Sequence, residues 1–507
     1  MTGDRTQDEV RRFLADPSAH EGGEVDVIET HASVIFLTPG IALKMKKAIR
    51  YPYLDYSTLE KRRGFCEAEV EINRRTAPAL YLGAVAVTRD ADGKLAVDGG
   101  GEPVEWLVRM KRFDNDGLLD RVARRDGLSP RLCRDVADVI FDFHRETEAK
   151  PERDAAGDMA QVAEGNADEM RRHGGAVFDQ DRVEALARRT GALIEEGRAL
   201  LERRAADGRV RHVHGDLHLR NIVMLDGRPT PFDAIEFDPA ICEIDVLYDL
   251  AFLLMDLLHR DHRVEANRIL NRYLARGGDY GGVKLLPLFL SLRAGIRAHT
   301  TASAASSPDD REKIAEARAY LDLALDVLDS GAPLAVAVGG PSGSGKSTAA
   351  ALLAPRLGGA AGAIHLRSDV VRKRLMGNRP EEKLPEEAYA PEVSRRVFAT
   401  LAEEAGTVTA AGQSVVVDAV FGRASNVEPL KRAVAANGIR LSGFWLDADP
   451  EILRSRVGER TDDASDADKS VLEKQLGRLD CPAGWRTIDA GGAAEVTVEA
   501  ICAALDA

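Results

Sequence analysis

The stretch His214-Gly-Asp-Leu-His-Leu-Arg-Asn221, followed by Phe232-Asp-Ala-Ile-Glu-Phe-Asp238, decides how this chain is read. Asp216 and Asn221 stand five residues apart, a spacing that sets a hydroxyl-facing carboxylate beside a metal-binding amide on one loop. Asp233 follows twelve residues after Asn221, beyond a run whose Asp226-Gly227 dipeptide signals a tight hairpin. A carboxylate there can share Mg²⁺ with Asn221. Val246, Leu247, Leu250, Leu253, Leu254 and Leu257 recur at helical spacing and predict the core-facing stripe of a helix behind the loop. Glu236 is read as a second metal contact or a turn acid, and Asp238 as a solvated turn acid. The pattern points to phosphoryl transfer.

This segment resembles the aminoglycoside phosphotransferase and choline kinase family, whose loop reads HGDxxxxN where protein kinases have HRD. The resemblance implies a bilobal, protein-kinase-like α+β fold. In it Asp216 is the catalytic base, Asn221 and Asp233 hold the metal, and Asp249 anchors the loop from the helix behind. Upstream, Val25 to Lys47 reads as two strands punctuated by Pro39-Gly40. Lys44, in an Ala-Leu-Lys setting, is similar to the strand lysine of kinases that reaches the nucleotide phosphates. Its carboxylate partner is expected on a helix from Leu59 to Arg75, where Glu67, Glu69 and Glu71 compete. Family spacing, counted back from the strand Tyr81 to Thr88, favours Glu69 and leaves Glu67 and Glu71 as surface acids paired with Arg63 or Arg75. No G-x-G-x-x-G precedes Lys44, so backbone N–H groups of Thr30-His31-Ala32-Ser33 and the Ser33 hydroxyl are the candidates for covering phosphates. The strand Val104 to Met110 and Lys111-Arg112-Phe113 form the lobe connection that the family places against the adenine edge. The helical region Leu128 to Asp207 is where the family shapes its acceptor pocket. Its acids (Asp154, Asp158, Glu164, Asp168, Glu169) alternate with arginines and read as a solvent face.

At 507 residues the chain exceeds what one core serves. Its formal charge, 69 − 83 = −14, repels phosphate polymers and argues against bulk nucleic-acid binding. The five cysteines (Cys66, Cys133, Cys242, Cys481, Cys502) are scattered, as expected in a reducing cytoplasm. No apolar run is long enough to span a bilayer, and the start lacks a signal-peptide layout.

The carboxy-terminal half carries a second phosphate site. Leu334 to Val338 is a buried-strand run, and Gly340-Pro-Ser342-Gly343-Ser344-Gly345-Lys346-Ser347 satisfies G-x-x-x-x-G-K-[ST] before a helix opening at Thr348. Glycines let backbone N–H groups face the phosphates, Lys346 reaches the β/γ oxygens, and Ser347 ligates Mg²⁺. Asp418, ending the run Ser414 to Val417, is a Walker-B-like metal acid. A further strand ends at Ser368-Asp369, with Arg372 on the same face of the next helix. This half resembles small-molecule and polynucleotide P-loop kinases, including gluconate kinase and zeta-type toxins. That resemblance makes Asp369 the base, Arg372 a substrate grip, and Arg456 and Arg460 lid arginines, with Arg454 at the surface.

The expectation is therefore a kinase-like phosphotransferase domain (1–327; small lobe about 20–110, large lobe about 111–327) joined to a parallel-sheet P-loop kinase domain (332–507). Both halves are expected to use ATP and Mg²⁺ on small hydroxyl acceptors. The alternative readings are a nucleotide-sensing regulator with one binding-only site, and a P-loop half acting on nucleotides or nucleotide-sugars.

Overall fold

The computed structural model describes every residue except 1, 21–22, 31, 52–53, 306–309, 330, 459–464, 467–468, 477 and 507. The chain packs as two compact units, one gathering 1–135, 142–155 and 203–250, the other 136–141, 156–202 and 251–507.

In the first unit, helix α1 (Thr2–Ala15) precedes β1 (Asp26–Glu29), β2 (Ser33–Leu37) and β3 (Ile41–Lys46). The stretch expected as two strands is three. The Thr30 hydroxyl accepts the Ser33 N–H at 3.0 Å and closes a turn of its own, in addition to the one at Pro39-Gly40. A small ribbon of β4 (Arg50–Tyr51) and β5 (Leu54–Asp55) leads into α2 (Leu59–Asn73), whose cap, Thr58, accepts from the Lys61 N–H. Then come β6 (Tyr81–Arg89), β7 (Leu95–Val97) and β8 (Glu102–Lys111), completing an antiparallel sheet of order β1-β2-β3-β8-β6-β7.

Period-2 alternation divides the side chains of β3 between two faces of the sheet. Leu43 and Met45 face α1 and pack with Val10 and Leu14, while Ala42 packs with Cys66 and Val70 of α2 on the other face. Lys44 and Lys46 share the α2 face with Ala42.

Four helices, α3 (Leu119–Asp126), α4 (Pro130–Glu146), α5 (Ala155–His173) and α6 (Gln180–Ala206), lead to β9 (Val210–His212). The hairpin of β10 (Ile222–Leu225) and β11 (Arg228–Pro231) turns at Asp226 and Gly227, both at positive φ (49° and 77°), as a two-residue hairpin turn demands. A short helix α7 (Pro239–Cys242) and strand β12 (Glu243–Asp245), paired with β9, bring the chain into α8 (Val246–His259).

The second unit contains α9 (Arg263–Gly277), α10 (Leu286–Ser303) and α11 (Arg311–Asp326), and a parallel sheet of order β14-β15-β13-β16-β17. Its strands are β13 (Ala335–Gly339), β14 (Ile364–Arg367), β15 (Val415–Asp418), β16 (Leu441–Asp447) and β17 (Arg486–Asp489). The near-continuous apolar runs of β13 and β15 reflect burial on both faces. On one face Val336, Val338 and Leu446 pack with Ala350 and Leu353 of α12 (Lys346–Leu353) and with Val498 and Ile501 of α18 (Ala494–Leu505). Between them run α13 (Ser368–Leu375), α14 (Pro391–Ala410), α15 (Ala424–Ala435), α16 (Pro450–Gly458) and α17 (Lys469–Leu476).

The edge strand β14 and the turn before it are covered by α9. Arg263 donates to the Gly359 carbonyl at 2.8 Å, Asn267 to the carbonyls of Ala361 (2.8 Å) and Ala363 (3.0 Å), and Asn271 Oδ1 accepts the His365 N–H at 2.7 Å. These side chains satisfy backbone groups that an edge would otherwise present. The expected boundary at 327–332 falls between α11 and β13, yet α9 is bound to the sheet beyond it, and the compact units divide elsewhere. Among the described residues no helix is long and apolar enough to cross a membrane.

Candidate active sites

Of the three competing glutamates, Glu69 meets Lys44. Lys44 Nζ donates to Glu69 Oε1 at 2.8 Å and to Asp233 Oδ1 at 2.6 Å. Glu67 lies at the surface against Arg63 at 2.9 Å. Helical spacing explains the choice: Cys66, Glu69, Val70 and Asn73 form the buried face of α2. Asp233 is reached with its backbone at φ 62°, a left-handed setting that aspartate tolerates, and its side chain stays 45% exposed.

Sequence reasoning missed Lys46, the next residue on the same face. Its ammonium donates to Glu69 Oε2 at 2.6 Å, to Glu236 Oε1 at 2.5 Å and to the Tyr56 hydroxyl at 3.2 Å. Glu236 is thus the buried counter-ion of Lys46 rather than a turn acid. The available signal was the alternation itself, two lysines two apart on one strand. Asp238 caps α7 by accepting the Ala240 N–H at 2.9 Å. Burial opposes the charge of both lysines, but Asp233 and Glu69 beside Lys44, and Glu236 and Glu69 beside Lys46, outweigh it and hold both well above the usual lysine range. Burial would likewise raise Glu69; the two ammonium groups overcome it and hold the carboxyl at about 2.

The loop itself is built around Asp249. Its buried carboxylate accepts the N–H groups of His214 (3.2 Å) and Gly215 (2.9 Å) and contacts the His144 ring at 3.1 Å. The His214 ring meets the Phe232 carbonyl at 2.9 Å, tying the loop to the segment that carries Asp233. Burial lowers the pKa of His214, which favours a neutral ring whose Nδ1 accepts the Asp216 N–H at 3.3 Å. Asn221 Nδ2 donates to Asp216 Oδ2 at 2.9 Å, leaving the Asp216 carboxylate about one-third exposed.

In the second unit the loop from Gly340 to Gly345 wraps the start of α12. A Cβ at Gly343 (φ 86°) would lie 2.6 Å from the Leu453 carbonyl oxygen, and one at Gly340 the same distance from that of Leu446, so neither position accepts a side chain. The Ser342 N–H donates to Gln475 Oε1 at 2.7 Å, Ser344 is buried, and Lys346 Nζ donates to the Pro341 carbonyl at 3.1 Å. A cavity of about 370 Å³ is bounded by residues 343–349, Thr348 included, and by Arg456. Ser347 Oγ donates to Asp418 Oδ1 at 3.1 Å.

His365, which the sequence did not single out, holds the other Asp418 oxygen at 2.7 Å. Burial would raise Asp418, but His365, with Arg367 and Lys346, lowers it. Asp369, in the first turn of α13, goes the other way: burial raises its pKa against the pull of Lys346 and Arg367. Arg372 is buried, donating to the Ala388 carbonyl at 2.7 Å and stacking over Tyr389 at 4.8 Å. Arg456 donates to the carbonyls of Ala490 (2.7 Å) and Gly492 (2.9 Å), and Arg454 pairs with Glu473 at the surface. Arg460 lies outside the described residues.

Residues 64–286 match the model of the phosphotransferase enzyme family, and residues 336–482 match an AAA domain model. Residues 64–286 form a phosphotransferase-family domain. The chain is accordingly an enzyme of the kinase class. It is similar over 486 residues, 94% of either chain, to uncharacterized proteins of Mycobacterium bovis and Mycobacterium tuberculosis, at 28% identity. Among solved structures it is similar to a choline/ethanolamine kinase family protein from Mesorhizobium loti (13% identity, TM-score 0.39, 63% of this chain and 95% of that one). It is also similar to aminoglycoside 2′-phosphotransferase-IIIa (14%, 0.38, 60% and 92%) and to a sugar kinase from Janibacter (21%, 0.27, 34% and 95%).

The donor sets fit a divalent cation in both places. The phosphotransferase domain offers the half-exposed carboxylate of Asp233 with the amide of Asn221, and the P-loop site offers a hydroxyl and a carboxylate, Ser347 and Asp418, already in contact. Hard oxygen donors of this kind, few in number and completed by substrate phosphates, suit Mg²⁺.

Proposed function

We propose that the chain transfers the γ-phosphoryl group of ATP at two separate sites, each to a hydroxyl of a small, sugar-like or aminocyclitol-like acceptor. What carries this reading is the duplication of parts: Lys44, Glu69 and Asp233 meet in one unit, and the P-loop, Ser347 and Asp418 in the other. Asp233 with Asn221 at the first site, and Ser347 with Asp418 at the second, would hold a Mg²⁺ ion that would neutralise phosphate charge during transfer. At the first site Lys44 binds phosphate oxygens and Asp216 takes the acceptor's proton. The acceptor oxygen bonds to the γ-phosphorus, the bond from that phosphorus to the β,γ-bridging oxygen breaks, and ADP leaves with the electron pair. Asp369 takes the proton at the second site, a task that its raised pKa favours. The net charge of −14 favours small acceptors over nucleic acid.

The test is ATP turnover with a panel of sugars, aminocyclitols and nucleosides, reading the phosphorylated product by mass. Asp216→Asn and Lys346→Ala should each remove different products. If Lys346→Ala alone eliminates every transfer, the phosphotransferase domain is not an autonomous kinase.

A further inference from the structure

Asp369, Arg372 and Lys373 stand at i, i+3 and i+4 on α13 and so share one face, with about 5–6 Å between the Cβ atoms of the first and last. Lys373 is almost fully buried, where an ammonium group needs an anionic partner. Its Nζ donates to Asp466 Oδ1 at 3.2 Å. The other oxygen of the same carboxylate accepts the Leu384 N–H at 3.2 Å and the Tyr389 hydroxyl at 2.6 Å. Three donors from three places in the chain thus converge on one carboxylate. Arg372, with its bond to the Ala388 carbonyl and its stacking on the Tyr389 ring, fixes the position of the third.

Directly before Asp466, Ser465 lies beside the Asp369 carboxylate and favours its ionised form. The dipeptide therefore sets a hydroxyl beside the Asp369 carboxylate and an anion in a three-donor pocket whose lysine stands one helical turn along α13.

We infer that this pocket is the acceptor site of the P-loop half, that its acceptor carries a carboxylate or phosphate group besides the reacting hydroxyl, and that Ser465-Asp466 stands in for that acceptor. The inference rests on reading this half as a kinase. In transfer, the acceptor hydroxyl gives its proton to Asp369 as the oxygen–phosphorus bond forms, ADP departs, and the acceptor's anion takes the three donors that Asp466 now holds.

The experiment uses the full chain saturated with a non-hydrolysable ATP analogue and Mg²⁺, titrated calorimetrically with D-glucose, D-glucuronate and D-glucose 6-phosphate. These probes differ only at C6, so the two charged arms separate a carboxylate ligand from a phosphate one. At least one charged sugar should bind tenfold or more tightly than glucose. Lys373→Met should erase that preference, Lys373→Arg should retain it in part, and Asp466→Asn should tighten charged-sugar binding several-fold by removing the competing anion. Retained affinity for the ATP analogue, measured with the first site silenced by Lys44→Ala, confirms that the P-loop half of each variant is folded. Equal binding of all three sugars, or weaker charged-sugar binding by Asp466→Asn, overturns the proposal. A charge preference that depends on Lys373, with no phosphoryl transfer to the bound sugar when ATP replaces the analogue, keeps the anion pocket and instead overturns the kinase reading of this half.

Discussion

Glu69→Gln tests the charge arrangement of the first site most directly, because one fully buried carboxylate serves two buried lysines. In the folded chain its pKa is about 2 against an ordinary 4.5. At 1.36 kcal/mol per unit that difference is worth about 3 kcal/mol at pH 7, in line with the ~3–5 kcal/mol lost when a buried pair is broken from one side. The depressed pKa fixes the sign: the contribution is complete above the unfolded value and is lost as pH falls from about 4.5 toward 2. At pH 3.5 about 2 kcal/mol of it should remain. The measurement is hydrogen exchange at the amides of α2 and β3 in the full chain, which reports local opening of this unit alone. Glutamine keeps the size and the hydrogen-bonding oxygen, and Lys44 and Lys46 retain Asp233 and Glu236, so the fold should persist. A variant within about 0.5 kcal/mol of the parent at pH 7, inside the ordinary scatter of surface substitutions, would refute the account. So would a difference that does not shrink on acidification.

Asp216→Asn should leave ATP affinity intact at the first site while lowering acceptor-dependent turnover by about 10²–10⁴-fold, checked by single-turnover assay. Lys346→Ala should weaken nucleotide binding at the second site, seen by titration of the full chain with the first site silenced by Lys44→Ala. Asn271→Ala removes the side-chain partner of the His365 N–H and one of the two amides on the Ala363 carbonyl, and should cost about 1–3 kcal/mol in urea unfolding of the second unit. A fragment beginning at 331, which lacks α9, should unfold at lower urea than one beginning at 251.

The sequence was most informative where chemistry restricts the residue. The P-loop glycines have carbonyl oxygens where a Cβ would sit, so the motif and the geometry are one constraint. Asp216 and Asn221 were legible because their loop is closed by a hydrogen bond over five residues, whereas Asp249, 34 residues from Gly215, was placed by the family resemblance. Lys46, Glu236 and Tyr56 were not, because their meeting depends on which face of β3 is turned toward α2. His365 escaped notice for a similar reason. A histidine in a buried strand has no sequence partner until parallel pairing brings β14 against β15 and registers Arg367 with Asp418. The Ser465-Asp466 contacts join residues about ninety positions apart, beyond the reach of any local pattern.

The helix α9 changes what the join between the two halves means. It lies within the stretch that matches the phosphotransferase family, yet its asparagines supply hydrogen bonds to the outer strand of the P-loop sheet. A parallel sheet ending in β14 would expose a row of backbone groups, and covering them with side chains of fixed geometry holds the strand's register as well as its edge. The consequence reaches Asp418, the acid proposed to hold the metal. Asn271 fixes the backbone of His365, the His365 ring holds one oxygen of Asp418, and the other oxygen holds Ser347 at the start of α12. Each link is a hydrogen bond of 2.7 to 3.1 Å between buried or half-buried groups, where a loss on one side leaves a polar atom short of a partner. Asp418 is therefore positioned in part by residues nearly 150 places upstream, before the break between α11 and β13. That explains why a cut at the break should loosen the P-loop site even though every phosphate-binding residue lies beyond it.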